Sequence, residues 1–196
     1  MLDNLKNYKI ILASASPRRR ELMGGLDVVF DVRTLPDVDE SFPETLQGGE
    51  IPLYISQKKA EAYRAVMAAD ELVITADTIV WLDGKALGKP ADAGEARRML
   101  HSLSGNTHNV YTGVTVMTAT ASVSFTACSN VTFAPLDDEE IEYYIEKYRP
   151  MDKAGSYGVQ EWIGYIGIEN IEGSYFNVMG LPVQRLYNEL KKIPAL

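Results

Sequence analysis

The sequence predicts an α/β fold in which a mixed central β-sheet is flanked by helices. Three observations lead there. Short β-branched runs alternate with capped amphipathic segments over the first hundred residues, and a long Val-, Thr- and Ser-rich alternating stretch at 109–133 then interrupts that order. In addition, no repeat, low-complexity segment or linker divides the chain, so residues 1–196 read as one domain. With 196 residues and 46% hydrophobic residues the chain can bury a substantial core without staples.

The first strand is read at 9–14, KIILAS, a β-branched apolar run. Ser16 is placed to cap a helix with Pro17 at its first position, and Gly24-Gly25 ends it. Residues 28–32 read as a second strand, 34–51 as a long loop, and 52–69 as a helix burying Leu53, Ile55, Ala60, Tyr63 and Met67. Residues 72–76 and 79–82 are strand-like, with Ala76-Asp77-Thr78 closing the first of them, and Asp83-Gly84 signals a hairpin. Asp92 starts a helix that runs to about Leu103, with Gly105 as its C-terminal cap. Two antiparallel strands fill 109–133 with a turn at 119–121, and Asp137 caps a helix that Arg149-Pro150 ends. A glycine-studded stretch at 153–164, a strand at 165–171, a loop at 172–177 and a last helix at 182–192 complete the chain.

Composition removes several functional classes. One cysteine, Cys128, excludes an intrachain disulfide, and two histidines, His101 and His108, are too few for a Cys/His zinc cluster. A net charge of −8 argues against a general nucleic-acid binder, whose affinity for phosphate backbones comes from Lys and Arg, but it leaves room for one small anion met by local cations. The N-terminus has no basic region followed by an apolar run, and no stretch reaches the roughly 18 apolar residues of a membrane span. The chain is therefore expected to be an unprocessed cytoplasmic protein without membrane or nucleic-acid partners.

The loop after the first strand is the best-defined candidate site. Ser14, Ser16, Arg18 and Arg19 surround a helix start, where free N–H groups and a macrodipole of about +0.5 charge favour an anion. An ordinary Ser-Pro cap with solvated arginines fits those residues equally well. The loop is neither a P-loop nor a dinucleotide-binding glycine turn. Asp77 is either a turn cap or a carboxylate that holds a divalent cation or accepts a proton from water. The acidic run at 37–40 reads as solvated, with Glu40 available as a second carboxylate. Lys59, Lys89 and Lys153 read as surface residues or as cations converging on a polyphosphate; their spacing does not decide between the two.

Taken together, LASASPRRRELM at 12–23, VDE at 38–40, KA at 59–60, ADTIV at 76–80, LGKP at 87–90, DKAGSYGVQ at 152–160 and IEGSYFNVMGLP at 171–182 resemble the Maf family of nucleoside triphosphate pyrophosphatases, first associated with septum formation. The resemblance implies two lobes around a cleft and a divalent cation, Mg²⁺ or Mn²⁺. It also implies hydrolysis of a nucleoside triphosphate to the monophosphate and pyrophosphate. By the same resemblance Asp77 matches the catalytic acid, either as the base towards water or as a metal ligand with Glu40, and Ser14, Ser16, Arg18, Glu40, Lys59, Lys89 and Lys153 match the polar cleft set, all but Glu40 as phosphate-binding residues. Arg18, Thr78 and Gln160 match positions that separate the branch acting on dTTP and UTP from the branch handling 7-methyl-GTP. Residues 106–110 and 161–163 depart from the commoner pattern. Other modified or purine triphosphates, a nucleotide-binding regulator of cell division, and a homodimer stay open.

Overall fold

The computed structural model describes residues 2–196. In chain order the elements are β1 (Lys9–Leu12), α1 (Pro17–Gly24), β2 (Asp31–Val32), α2 (Glu50–Arg64), β3 (Glu71–Leu82), β4 (Lys85–Leu87), α3 (Ala93–Leu103), β5 (Thr107–Met117), β6 (Ser122–Phe133), α4 (Asp138–Tyr148), α5 (Trp162–Gly167), β7 (Ile168–Glu172), α6 (Tyr175–Met179) and α7 (Val183–Leu190). The strands form one mixed sheet in the order β2-β1-β3-β5-β6-β7, with β4 paired to β3. The chain divides into two compact units, the first comprising Met1–Asp77, Thr112–Ala127 and Gly180–Leu196, the second Thr78–Tyr111 and Cys128–Met179.

In the first unit β1 lies parallel to both β2 and β3. Parallel neighbours need crossover connections, which α1 and α2 supply. Ile11, Ala60, Tyr63, Val73 and Met117 form a buried cluster, with Met67 packed at its edge. Polar ties fix α2 against the strands: the Thr75 hydroxyl donates to the Ser56 carbonyl at 2.7 Å, and Ser56 Oγ lies 3.0 Å from Thr115 Oγ1. The helix approaches β5 so closely that a Cβ on Gly113 would lie 2.3 Å from the Pro52 carbonyl and the Leu53 nitrogen. Backbone cannot yield there as a side-chain tip can. Gly113→Ala is expected to destabilise the protein by about 1–3 kcal/mol or more, read as a lower urea midpoint; an unchanged midpoint would contradict this packing.

In the second unit Asp83 and Gly84 both take positive φ, 49° and 77°, which suits the tight β3–β4 hairpin. The Asp92 side chain caps α3, and Asp137 with Glu140 forms a capping box on α4. His108, Phe133 and Tyr157 make a buried aromatic trio with ring centroids 5.0–5.5 Å apart. His108 Nε2 lies 2.8 Å from the Tyr157 hydroxyl, while its Nδ1 has no hydrogen-bond partner among the described residues. Burial holds this imidazole down at about 4. The unfolded chain binds the proton first, so the associated stability is full above pH ~6.5 and is lost as pH falls towards 4, by about 3 kcal/mol in all. His108→Gln, which does not titrate, should show a shallower fall in urea midpoint between pH 7 and 4 than the parent; parallel curves would exclude His108 as the cause.

Several elements differ from the sequence expectation. β3 is one continuous strand, so Asp77 and Thr78 lie inside it and do not close it. The acid is accommodated because Lys59 supplies a counter-charge. α2 starts at Glu50, inside the expected loop, where the Glu50 carboxylate accepts from the Gln47 amide at 3.0 Å. It ends at Arg64, because the chain turns at 65–66 and again at 69–70 before β3, and Met67 therefore lies outside it. β2 keeps only two of the five expected residues. Residues 162–167 are helical where a strand was expected from Tyr165. There the backbone folds back so tightly that a Gly164 Cβ would lie 1.9 Å from the Val159 carbonyl oxygen. Finally, 175–179 is a short helix, with Ser174 Oγ accepting from the Asn177 amide at 3.3 Å.

Candidate functional site

In the first unit the chain leaves β1 through Ser14, which is buried, and enters α1 at Ser16, whose side chain accepts from the Arg19 amide. Ser14 Oγ accepts from the Ser16 amide at 3.3 Å. Arg19 ties this loop to two other segments, its Nε donating to the Gly180 carbonyl at 2.8 Å and its Nη1 to the Ala76 carbonyl at 2.9 Å. Burial lowers the Arg19 guanidinium below its ordinary value, and the charge of Asp77 opposes that effect. Arg18 is partly buried.

Consecutive acids meet consecutive lysines on α2. Lys58 Nζ donates to Asp39 at 2.6 Å and to the Ser41 carbonyl at 3.1 Å, while the Ser41 amide donates to Asp39 at 2.8 Å. The Lys58 ammonium and then Ser41 hold the Asp39 carboxyl well below the usual carboxylate range. One residue further along both segments, Lys59 Nζ lies 2.9 Å from Glu40 and 2.8 Å from Asp77. Lys59 and Asp77 side chains are each only 14% exposed, against 55% for Glu40. The structure thus brings Glu40, Lys59 and Asp77 together, and Arg19 grips the carbonyl of the residue just before Asp77.

These donors fit a divalent cation of the Mg²⁺ type. Among the described residues no group of three or more His, Cys, Asp or Glu side chains is assembled for a metal. Two carboxylates within reach of one ammonium are the oxygen ligands available, and Mg²⁺ is commonly held by one or two carboxylates with water and substrate phosphates completing the shell.

In the second unit Thr78 follows Asp77 on β3 and is partly buried. Lys89 is exposed beyond β4, and the carbonyl of its neighbour Gly88 accepts from the Gly155 amide at 3.1 Å. Gly155, with φ of 67°, stands where a Cβ would meet Val80 at 2.8 Å, so the turn after Lys153 can lie flat on β3. Lys153 is 8% exposed, donates to Asp152 at 2.7 Å and lies 3.1 Å from Glu161 Oε1. Gln160 carries a buried Oε1 that makes no hydrogen bond among the described residues. The Tyr144 hydroxyl donates to Glu161 Oε2 and accepts from the Gly158 amide at 3.0 Å. Burial, and next the Glu161 carboxylate, push that hydroxyl well above the usual phenol range.

The Asp39–Lys58 clasp, Tyr144 and Glu161 are residues whose parts the sequence reading did not assign, and Arg19, expected beside the anion at the helix start, instead ties the loop to the Gly180 and Ala76 carbonyls. The run Arg18-Arg19-Arg20 shows that cations crowd a helix start but not which one turns inward. Tyr144 and Glu161 lie 17 positions apart on different elements, with no spacing signal between them. A surface concavity lined by Gln57, Glu61, Arg64, Ser122 and Ser124 contains none of the candidate residues.

The profile of the Maf-like protein family matches residues 9–193. A protein of Phocaeicola vulgatus named dTTP/UTP pyrophosphatase is 64% identical over 98% of this chain and all of its own. One of Bacteroides thetaiotaomicron with the same name matches equally, at 64% over 98% and 100%. A namesake from Flavobacterium psychrophilum is 50% identical over 93% of each chain. Among solved structures, a HAM1 protein from Coxiella burnetii covers 95% of this chain and 100% of its own with a TM-score of 0.53 at 14% identity, a likeness of fold alone. A profile that runs through both units, and identities of this size over nearly the full length, show that the chain belongs to the Maf family.

Proposed function

We propose that this protein hydrolyses a nucleoside triphosphate, dTTP or UTP foremost, with water to the nucleoside monophosphate and pyrophosphate. The observation that carries the proposal is Lys59 held between Glu40 and Asp77, a guarded carboxylate beside a cation on the strand that the Ser14–Arg19 loop grips. The names of the full-length relatives support the substrate. Asp77 accepts the proton of the attacking water. From the first unit Ser14, Ser16, Arg18 and Lys59 bind phosphate oxygens, Arg18 as a charge-assisted donor; from the second, Lys89 and Lys153 do so. Glu40 and Asp77 are the residues that would hold Mg²⁺ or Mn²⁺, which when bound neutralises charge developing on the phosphates. One family profile spans 9–193, and on that ground we read both units as one functional domain. We read the protein as a cytoplasmic enzyme acting on free nucleotides on the ground of its acidic balance; no helix among the described residues is long and apolar enough to cross a membrane.

Base choice falls to Gln160, with Arg18 and Thr78. Uracil and thymine offer an N–H donor beside a carbonyl acceptor, which one amide answers with its oxygen and its NH₂. The buried Oε1 of Gln160 without a partner supports that role. Gln160→Glu removes the donor and sets a charge against the base carbonyl. It should lower kcat/KM for dTTP and UTP by about five- to two-hundred-fold more than for CTP; an equal fall for all bases would make Gln160 a support of its loop.

The function itself is tested by supplying dTTP, UTP, CTP, purine triphosphates and 7-methyl-GTP with Mg²⁺ or Mn²⁺ and measuring pyrophosphate. Fast release from dTTP and UTP, abolished by excess chelator, is expected. Undiminished rates in chelator would remove the metal from the account, and a preference for 7-methyl-GTP would reassign the substrate.

A further inference from the structure

We propose that Glu161, clamped by Tyr144, is a positioning residue that ties Lys153 and the Gly158–Gln160 turn to a single carboxylate, so that phosphate binding and base recognition are set together. The inference rests on the reading of Lys153 and Gln160 given above.

The two oxygens of Glu161 have separate tasks. Oε1 faces the Lys153 ammonium at 3.1 Å, and Oε2 accepts the Tyr144 hydroxyl proton. That hydroxyl accepts in turn from the Gly158 amide through a buried hydrogen bond of 3.0 Å. The backbone repeats the connection, because the Glu161 amide donates to the Gly158 carbonyl at 3.0 Å. Glycine at 158 is required by this arrangement: a Cβ there would lie 2.8 Å from the Glu161 carboxyl carbon and 3.0 Å from Oε2. Gln160 lies between these two anchors, next to Val159, whose carbonyl Gly164 approaches closely.

Tyr144 is a stiff anchor. It is fully buried on α4 and stacks on Tyr148 with ring centroids 5.1 Å apart. The second acid on Lys153, Asp152, is 59% exposed, whereas Glu161 is 19% exposed, so Glu161 is the partner shielded from water. An ion pair shielded from solvent keeps its geometry and its strength, while an exposed one exchanges with water. A shift of the Glu161 carboxylate therefore moves the ammonium and the turn together.

Two variants separate the tasks. Tyr144→Phe keeps the ring and the Lys153–Glu161 pair but cuts the bridge to the Gly158 amide. Because it also frees the Glu161 carboxylate that faces Lys153, it should lower the dTTP-to-CTP ratio of kcat/KM by about five- to tenfold and raise the pyrophosphate inhibition constant by about threefold. Glu161→Gln removes the charge from Lys153 as well. It should lower the same ratio and also raise the pyrophosphate inhibition constant by about tenfold. Far-UV circular dichroism checks the fold, and if Glu161→Gln does not fold, Tyr144→Phe decides the question: selectivity and pyrophosphate inhibition moving together support the coupling, and a change in only one of them overturns it. Gln160→Ala and Lys153→Met report on the underlying reading. If the first leaves selectivity and the second leaves pyrophosphate inhibition unchanged, that reading fails and the inference falls with it. If those two have their effects while Tyr144→Phe and Glu161→Gln match the parent in both readouts, the positioning role alone is overturned.

Discussion

Asp77→Asn lowers kcat for dTTP by about 10²–10⁴-fold, the contribution of a positioned general base, with the fold intact. The substitution is nearly isosteric, and the position lies inside the continuous strand β3, next to the Ala76 carbonyl that Arg19 grips. Asparagine lacks the basic lone pair that takes a proton from water, and Lys59 keeps Glu40 as its counter-ion. KM should therefore change less than kcat. Steady-state kinetics with a thermal melt on the same sample check both parts, and near-parental turnover would move proton acceptance to another group.

Lys59→Met should lower kcat/KM by about 10²-fold or more, the scale for truncating one partner of a shielded charge pair. Both contacts of Lys59 are to carboxylates, so methionine leaves Glu40 and Asp77 without the cation that separates them. Two carboxylates without an internal cation attract a divalent ion more strongly, because the ammonium no longer competes for their oxygens. The variant should then bind Mn²⁺ more tightly than the parent in the absence of nucleotide, as titration calorimetry or electron spin resonance reads directly, although it turns over more slowly. Weaker Mn²⁺ binding by Lys59→Met would show that this acid pair is not the cation site.

What could be read from the residues follows the range of the forces involved. The start of α1 was legible because Ser16 and Pro17 act through local backbone geometry, and the caps at Asp92 and Asp137 act within one turn of helix. The β3–β4 hairpin was legible for the same reason. The continuity of β3 through Asp77 was not, since it depends on Lys59 arriving from α2, 18 residues away. Propensity favoured a strand from Tyr165, yet the tight return of Gly164 on Val159 requires a helical turn there. The family motifs named the candidate residues as a set. Their pairings were not legible: that Arg19 turns towards Gly180 and Ala76 depends on carbonyls at distant sequence positions, and Glu161 meets Tyr144 only after α4 has packed.

Which bond water breaks tests the central claim most directly. Hydrolysis of dTTP in ¹⁸O-labelled water, followed by ³¹P NMR, distinguishes the phosphorus atoms by the isotope shift that the incorporated oxygen produces. With pyrophosphate as the leaving group, water attacks the α-phosphorus, so the label is expected in dTMP and the pyrophosphate should carry none. Label in pyrophosphate, or products consisting of dTDP and orthophosphate, would contradict the account.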